Sequence, residues 1–325
     1  MVARGTDAED GRGSGKDRPR RLSPATRRSL ITGLLFQLPW LLGFAGFLLY
    51  PAVATFYYSF TRYPLFKSPR WIGLDNYRNL FTDQFFIQYD SLDHFLQSAV
   101  GNTLYLTVIG VPAATAFAFI VAMLLNTNVK GIALWRTLCF LPAVMSPLVA
   151  SILWVWIFNP QFGIVNAFLS FLHLPQPGWL NDPAWSKPTL ILLNLWQVGF
   201  SMIIYLAALQ GVPRELYEAV HIDGGGFWAR LRYITIPLVS PVTLFNLITG
   251  VIASLQFFTQ AYTIGGASGN PQSSLLFYVT YIYTSAFQNF DMGYASAMSW
   301  LLFVVIAIFT AVLLLGSRRW TYYER

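Results

Sequence analysis

Long apolar runs separated by short polar segments dominate this chain. A helical span needs roughly 20 apolar residues to cross the hydrocarbon core of a bilayer. Six runs meet that requirement, near residues 30–60, 98–125, 132–158, 188–210, 238–262 and 294–316. The pattern predicts an all-α, polytopic membrane protein with six spans, whose membrane domain covers residues 30–318. Residues 1–29 carry few apolar side chains and predict a disordered basic tail, and residues 319–325 predict a short C-terminal tail.

The composition supports the membrane class. Hydrophobic residues make up 55% of the chain and charged residues 11%, whereas a soluble domain carries about 25% charged residues. Aromatic residues reach 17%, which suits a protein that anchors at two membrane–water interfaces. The first apolar run is too long for a cleavable signal peptide and lacks a small-residue cleavage site. We therefore expect a multi-pass protein.

Basic residues lie mostly on one side of the predicted topology. Six spans place both termini on the same side, and that side receives sixteen of the 21 Lys and Arg residues. Cytoplasmic loops are enriched in Lys and Arg, so both termini are predicted to be cytoplasmic. This distribution accounts for the net charge of +7, and we expect no nucleic acid partner. On the outer side, residues 61–97 and 159–187 are predicted to form short interfacial helices.

The predicted spans are almost free of ionisable side chains, since Arg136 near one end is the only one. Proton-coupled carriers usually keep such groups at membrane depth, although sodium coupling through backbone and hydroxyl oxygens stays open. The chain has no phosphate-binding GxxxxGK[ST] loop. Neither Cys139, the single cysteine, nor the three scattered histidines predict a catalytic or metal site. We expect no enzyme activity, no metal and no cofactor here, so a partner must supply the energy for uphill transport.

The connection at residues 211–237, called the 211–237 loop below, is the longest on the predicted cytoplasmic side. Pro213 favours a helix start, and residues 214–222 have an amphipathic pattern. The three glycines 224–226 permit a sharp turn with positive φ. A second short helix is predicted to follow and to end at Pro237. Such an amphipathic knob suits a groove on a soluble partner; the alternative is a loop that lies on lipid headgroups.

The same loop resembles the EAA motif of ABC-importer permeases, written E-A-A-x-x-D-G-A and followed, after a gap, by I-x-L-P. Six residues match the motif in register: Glu218, Ala219, Asp223, Gly224, Ile234 and Pro237. Three positions depart from it, with Val220 and Gly225 where alanine is usual and Ile236 where leucine is usual. The match extends over 20 positions between two predicted spans.

The resemblance implies that this loop couples the permease to a cytoplasmic ABC ATPase dimer. The residues that it assigns to the ATPase contact are Leu216, Glu218, Ala219, Asp223, Gly224, Phe227 and Trp228. ATP and magnesium would then be bound by the partner ATPase and not by this chain.

Other segments are similar to permeases for maltose-type sugars, other oligosaccharides and glycerol phosphate. These segments are Gly73-Leu74-Asp75-Asn76-Tyr77, Asn102-Thr103-Leu104, Arg136-Thr137 with Leu141-Pro142, Phe162-Gly163-Ile164-Val165-Asn166 and Thr263-Ile264-Gly265-Gly266, although Ala267 replaces the usual proline after the last one. The resemblance implies the type I importer permease fold in a bacterial cell membrane. It also implies a second homologous permease as heterodimer partner, an extracytoplasmic solute-binding protein and a sugar-like solute. The alternative function is a stand-alone ion-coupled secondary carrier.

The fifth predicted span carries a polar stripe. Asn246, Thr249, Ala253, Gln256 and Gln260 recur at offsets of three, four and seven, which places them on one face of a helix. Amide and hydroxyl groups suit the hydroxyls of a sugar, so this face is a candidate lining of the solute path. The alternative is hydrogen bonding between spans. Two polar residues of the fourth predicted span are further candidates, namely Asn194 and Gln197.

Overall fold

A computed structural model describes residues 24–88, 91–127 and 129–322 of the chain. The chain divides into two units, one that ends at Ala54 and one that covers Thr55–Arg325. Helices predominate in both. The predicted N-terminal tail lies outside the described residues up to position 23, and residues 24–29 are helical, contrary to the predicted boundary.

Seventeen α-helices are found in the described ranges. They are α1 (Pro24–Phe44), α2 (Tyr50–Ser59), α3 (Asp75–Leu80), α4 (Leu92–Phe95), α5 (Ala99–Tyr105), α6 (Val111–Leu125), α7 (Ile132–Val144), α8 (Pro147–Ile157), α9 (Ile164–Phe171), α10 (Pro183–Trp196), α11 (Gly199–Gly211), α12 (Arg214–Ile222), α13 (Phe227–Arg230), α14 (Ile236–Leu255), α15 (Thr259–Gly265), α16 (Tyr278–Tyr283) and α17 (Met292–Ser317). Four π-helical turns accompany them: π1 (Ala45–Leu49), π2 (Leu106–Gly110), π3 (Leu231–Thr235) and π4 (Thr284–Gln288). A 3-10 turn covers Trp179–Asn181.

Four continuous helices are long and apolar enough to cross a membrane. They cover Thr32–Ser59, Ala99–Leu125, Phe227–Leu255 and Met292–Ser317. Two further candidates are bent pairs, α7 with α8 at 101° and α10 with α11 at 47°. By length and composition, the described residues therefore contain four helices that could cross a membrane, or up to six if each bent pair counts as one span. The third and fourth predicted spans correspond to the two bent pairs.

Proline explains where three of the continuous helices widen. π1, π2 and π3 each end two residues before a proline, namely Pro51, Pro112 and Pro237. Proline lacks an N–H, and its ring clashes with the carbonyl four residues earlier. The wider π turn moves that carbonyl aside and keeps the helix continuous. The predicted end of the 211–237 loop at Pro237 is therefore wrong, because one helix runs from Phe227 to Leu255.

The unit that begins at Thr55 is held together by close helix packing. Ala118 and Ala122 of α6 are fully buried against Met202 and Tyr205 of α11. Small residues at such spacing let helix backbones approach closely. A second cluster joins α17 to α14, with Met298 fully buried near its centre. The unit that ends at Ala54 exposes large apolar side chains along α1 and π1, as lipid contact requires.

Most of the sequence segments that resemble sugar permeases contain a side chain that bonds to backbone carbonyls. Asn76 donates to the carbonyls of Ser59 and Thr61, and Asn166 donates to those of Pro160 and Pro177. Asn102 donates to the carbonyls of Ser273 and Leu276, and Arg136 donates to that of Leu125. The Asn102 bonds join segments far apart in sequence, and the other three residues fix the turns and connections next to their own helices.

The segments between the long helices contain short elements. Residues 61–97 include α3, α4 and a two-stranded antiparallel hairpin of β1 (Thr61–Arg62) and β2 (Arg70–Trp71), which the sequence did not predict. Residues 159–187 include α9 and the 3-10 turn. In α9 the apolar side chains of Ile164, Phe168 and Phe171 are exposed.

Candidate functional site

A cavity of about 390 Å³ lies where α6, α10, α11 and α14 meet. We call it the amide-lined cavity and define it by its lining: Leu106, Gly110, Val111, Ala114, Thr115, Asn194, Gln197, Val198, Ser201, Asn246, Gly250, Ala253, Ser254, Gln256, Phe257, Phe258, Thr259 and Gln260. Its lining includes the middle of the helix Ala99–Leu125 and the bend between α10 and α11. It is therefore placed near the middle of the candidate spans.

Two interrupted helices form the cavity wall. α10 ends at Trp196 with Gln197 as its C-cap, and α14 ends at Leu255 with Gln256 as its C-cap. Backbone groups at such ends have no partner within the helix, and in a membrane they are tolerated only inside protein or beside a water-filled cavity. Both interruptions border the same cavity. The N–H groups of Gln197 and Gln256 cap part of these two ends by donating to carbonyls of the last turn.

Asn246 lies in the cavity wall with its side-chain amide buried. Its side chain is 4% exposed, and its Nδ2 makes no hydrogen bond of normal geometry among the described residues, although the Tyr205 hydroxyl lies beside it. A buried amide without a partner is costly, and such a group in a native structure calls for an explanation such as a bound molecule or water. Because Asn246 lines the cavity, a solute hydroxyl or a water in it can accept this hydrogen bond.

Close packing of α6 against α14 supports the opposite wall. A Cβ added to Gly250 would stand 2.8 Å from Cγ1 of Val111. Near this contact the hydroxyls of Thr107 and Ser254 are 2.9 Å apart and hydrogen bonded. This wall therefore has no room for a larger residue at position 250.

The structure brings five of the six predicted solute-path residues together. Asn194, Gln197, Asn246, Gln256 and Gln260 all line the amide-lined cavity, as does Ala253. The predicted single helical face is wrong beyond Leu255, because Gln260 belongs to the separate helix α15. Thr249 does not line the cavity; it is exposed and its hydroxyl donates to the carbonyl of Phe245.

The sequence reasoning missed the part of the cavity that comes from the second candidate span. Leu106, Gly110, Val111, Ala114 and Thr115 line it. Four of these residues are small or apolar and carry no polar signal. Thr115 is the fifth, and its hydroxyl is the one signal in the sequence that could have identified this part of the lining.

The 211–237 loop begins with α12, whose bounds match the predicted amphipathic segment. Its end is a Schellman motif: the N–H of Gly225 donates to the carbonyl of Val220, and the N–H of Gly224 donates to that of His221. Gly224 has φ +77°, the left-handed conformation that glycine adopts without strain. The other two glycines of the predicted hinge have no positive φ, so only Gly224 makes the turn in this way.

Two departures from the EAA motif compensate each other in space. A Cβ added to Gly225 would stand 2.4 Å from Cγ1 of Val220 and 2.8 Å from the Val220 carbonyl oxygen. The valine therefore fills the space that the usual alanine side chain at position 225 would occupy. Together the two substitutions keep the loop compact.

The loop presents its predicted contact residues to the outside. Trp228 is 76% exposed, and the neighbouring Ile222, which was not among the predicted contact residues, is 85% exposed. The remaining assigned residues are also exposed: Leu216, Glu218, Ala219, Asp223, Gly224 and Phe227. Tyr217 faces the other way, and its hydroxyl is 3.1 Å from that of Thr235 in π3. This bond fixes α12 to the base of the helix that continues into α14.

The C-terminal segment packs beside both ends of the same loop. The N–H of Tyr322 donates to Oγ of Ser240, which is 3% exposed. Tyr322 also lines a small pocket with Val212 and Pro213 at the start of the loop and with Leu238 just after it. The loop and the end of the described chain therefore lie at the same end of this unit.

The chain is thus a multi-pass helical protein with a mid-span cavity and an exposed amphipathic loop, the architecture of a membrane permease. It belongs to the family described as binding-protein-dependent transport system inner membrane component, whose model matches residues 110–323. This family consists of transport components and not enzymes. In the part of the chain that the structure describes, no group of His, Cys, Asp or Glu could hold a metal ion.

Relatives and solved structures agree with this assignment. The chain is 37% identical to the probable ABC transporter permease protein YesP of Bacillus subtilis, over 96% of this chain and 98% of that protein. It is 33% identical to the lactose transport system permease protein LacF of Rhizobium radiobacter, over 89% and 94%. A chain of a bacterial alginate ABC transporter, solved in complex with an alginate pentasaccharide-bound periplasmic protein, matches with a TM-score of 0.76 and 25% identity, over 92% of this chain and 97% of that chain. This chain is the permease component of a binding-protein-dependent ABC sugar importer.

Proposed function

We propose that this chain forms half of the solute path, that the amide-lined cavity is its solute site, and that an ATPase dimer drives it through the 211–237 loop. The single observation that carries the proposal is the buried amide of Asn246 in the wall of a cavity bordered by two interrupted helices. Interrupted helices near the bilayer midplane are typical of transporter binding sites. Amides and hydroxyls there can exchange hydrogen bonds with the hydroxyls of a sugar.

The cavity wall is incomplete within this chain. Ala253 and Gln256 line the cavity and are exposed. A second, homologous permease on that side would close the path and shield the solute from lipid. An extracytoplasmic binding protein would deliver the solute at the opposite end from the 211–237 loop.

The exposed loop supports the ATPase contact. Ile222 and Trp228 expose large apolar surface next to the acidic side chains of Glu218 and Asp223. Aromatic anchors of this kind carry most of the binding energy in protein interfaces. The described chain keeps this helix rigid through the Tyr217–Thr235 bond and the glycine cap. Both termini and the loop would then lie in the cytoplasm, and ATP with magnesium would be bound by the ATPase.

The test uses the importer assembled from this chain, its second permease, its ATPase and its binding protein in proteoliposomes. Trp228→Ala should weaken ATPase retention by about tenfold or more, the loss expected for an interface anchor. Gln256→Leu should leave retention intact and should reduce uptake of labelled disaccharides, lactose included, by about tenfold. The readouts are ATPase co-purification and ATP-dependent uptake.

Two matched variants serve as controls. Phe171→Ala removes an equally exposed aromatic side chain from α9 and should not change ATPase retention. Thr249→Val alters the same helix as Asn246 outside the cavity and should leave uptake unchanged. Full retention in Trp228→Ala would refute the docking role, and unchanged uptake in Gln256→Leu would refute the solute site.

A further inference from the structure

Every polar side chain in the lining of the amide-lined cavity is a neutral amide or hydroxyl. The nine are Thr115, Asn194, Gln197, Ser201, Asn246, Ser254, Gln256, Thr259 and Gln260. None of the described lining residues is ionisable. Family membership does not state whether the solute carries charge, so the chemistry of the wall is independent information.

The cavity also lacks a nearby charge that could reach in from its own helices. Apart from tyrosines, Lys187 is the only ionisable residue in the described helices α5, α6, α10, α11, α14 and α15. Its Nζ donates to the carbonyl of Leu96 and to Oδ1 of Asn102, 3.1 Å away in the latter case. The ammonium group is therefore held away from the cavity by two acceptors.

A charged solute would lose its hydration against this wall without gaining a counter-charge from the residues of this chain that line it. The free-energy cost of moving an ion out of water is recovered only by pairing or by metal coordination. A hydroxyl differs, because each amide offers both a donor and an acceptor.

The aromatic side of the cavity suits the C–H face of a sugar ring. Phe257 and Phe258 line it, and Phe258 is fixed by ring contacts with Tyr262 at 5.3 Å and Tyr283 at 5.4 Å between centroids. Rings held in this way present an apolar face without losing further conformational entropy on binding.

We propose that the half of the path formed by this chain accepts neutral, polyhydroxylated solutes, namely saccharides without phosphate or carboxylate groups, and disfavours charged ones. The inference rests on the proposed function, because it assumes that the solute passes through the amide-lined cavity. It adds that the solute is neutral. It assigns the selection of neutral over charged solutes to the amide side chains in and at the ends of α10, α14 and α15.

The test measures which reagents enter the cavity. Ala253→Cys is introduced with Cys139→Ala, so that the cavity holds the only cysteine of this chain, and the assembled importer is supplied with ATP. Three methanethiosulfonates are compared: hydroxyethyl (neutral), sulfonatoethyl (anionic) and trimethylammonioethyl (cationic). Each labelling rate is divided by the rate of the same reagent with a free cysteine peptide. The neutral reagent should label Cys at position 253 at least tenfold faster than both charged ones.

Two further variants calibrate the measurement. Gln256→Lys in the same background should raise the rate of the anionic reagent by about tenfold, since an opposite charge favours entry. Thr249→Cys lies outside the cavity on an exposed, apolar surface. It should resist all three reagents, because thiolate formation is disfavoured in apolar surroundings.

The outcomes separate the two proposals. A faster anionic or cationic reagent overturns the neutral-solute inference and leaves the proposed function standing. No labelling at position 253 by any reagent in an importer that hydrolyses ATP overturns both, because the cavity is then closed to solutes.

Discussion

At the scale of single residues, polar side chains do two different jobs in this apolar chain. Asn76, Asn102 and Asn166 use their amides to hold backbone carbonyls of other segments. Asn246 has the same chemistry, but its amide lies in the wall of the cavity beside the Tyr205 hydroxyl. The sequence identified the first three through their resemblance to sugar permeases and the fourth through its polar stripe. It did not separate structure from solute binding, because that depends on which atoms the fold brings near.

The Val220–Gly225 pair gives a prediction for the loop. Gly225→Ala should weaken ATPase binding several-fold, because the new Cβ would overlap the Val220 side chain, and overpacking costs about 1–3 kcal/mol. Adding Val220→Ala should restore part of the affinity. The restoration is partial because the Val220 carbonyl oxygen remains 2.8 Å from the Cβ. The measurement is the amount of ATPase retained by the immobilised permease as the ATPase concentration rises.

Gly226→Ala is the matched control for this experiment, since nothing lies within 4 Å of its Cβ position. It should bind the ATPase like the unmodified chain. Equal losses from both alanine substitutions would show that loop flexibility matters and that the steric account of Gly225 is incorrect.

At the scale of elements, the long apolar runs of the sequence predicted where helices exist but not where they are interrupted. The bounds of α12, α17 and the helix Ala99–Leu125 follow the sequence closely, because polar or glycine residues flank them. The breaks after Val144, Trp196 and Leu255 lie inside apolar runs, where average hydropathy stays high. Pro112 and Pro237 do not end a helix, because the π turns before them keep the helix continuous. Breaks depend on tertiary contacts that compensate the lost backbone bonds, and these are not local in sequence.

The break between α10 and α11 gives the second prediction. Gly199 begins α11, and a Cβ there would stand 2.8 Å from Cβ of Ala143 and 3.1 Å from the backbone of Phe140 in α7. Gly199→Ala should therefore destabilise the protein by about 1–3 kcal/mol through overpacking. Its thermal unfolding midpoint in detergent should fall measurably. The control is Gly211→Ala at the other end of the same helix, where nothing lies within 4 Å. A midpoint that falls no further for Gly199→Ala than for this control would argue against the tight α7–α11 contact.

At the scale of the whole molecule, the proposed topology predicts which surfaces face which compartment. The C-terminal segment lies beside the 211–237 loop, and the excess of Lys and Arg there favours the cytoplasmic side. In the Cys139→Ala background, Arg318→Cys should react with a membrane-impermeant maleimide in inside-out vesicles and not in intact cells. Arg70→Cys, exposed in β2, should show the opposite pattern. Labelling of both from the same side would overturn the predicted topology.

The position of Tyr322 beside the 211–237 loop has a practical consequence for anyone who purifies or images this protein. An affinity tag or fluorescent protein joined directly after Tyr322 would begin next to the surface proposed to receive the ATPase. Such a fusion should be inserted after a long flexible linker, or an untagged control should accompany every measurement of coupling.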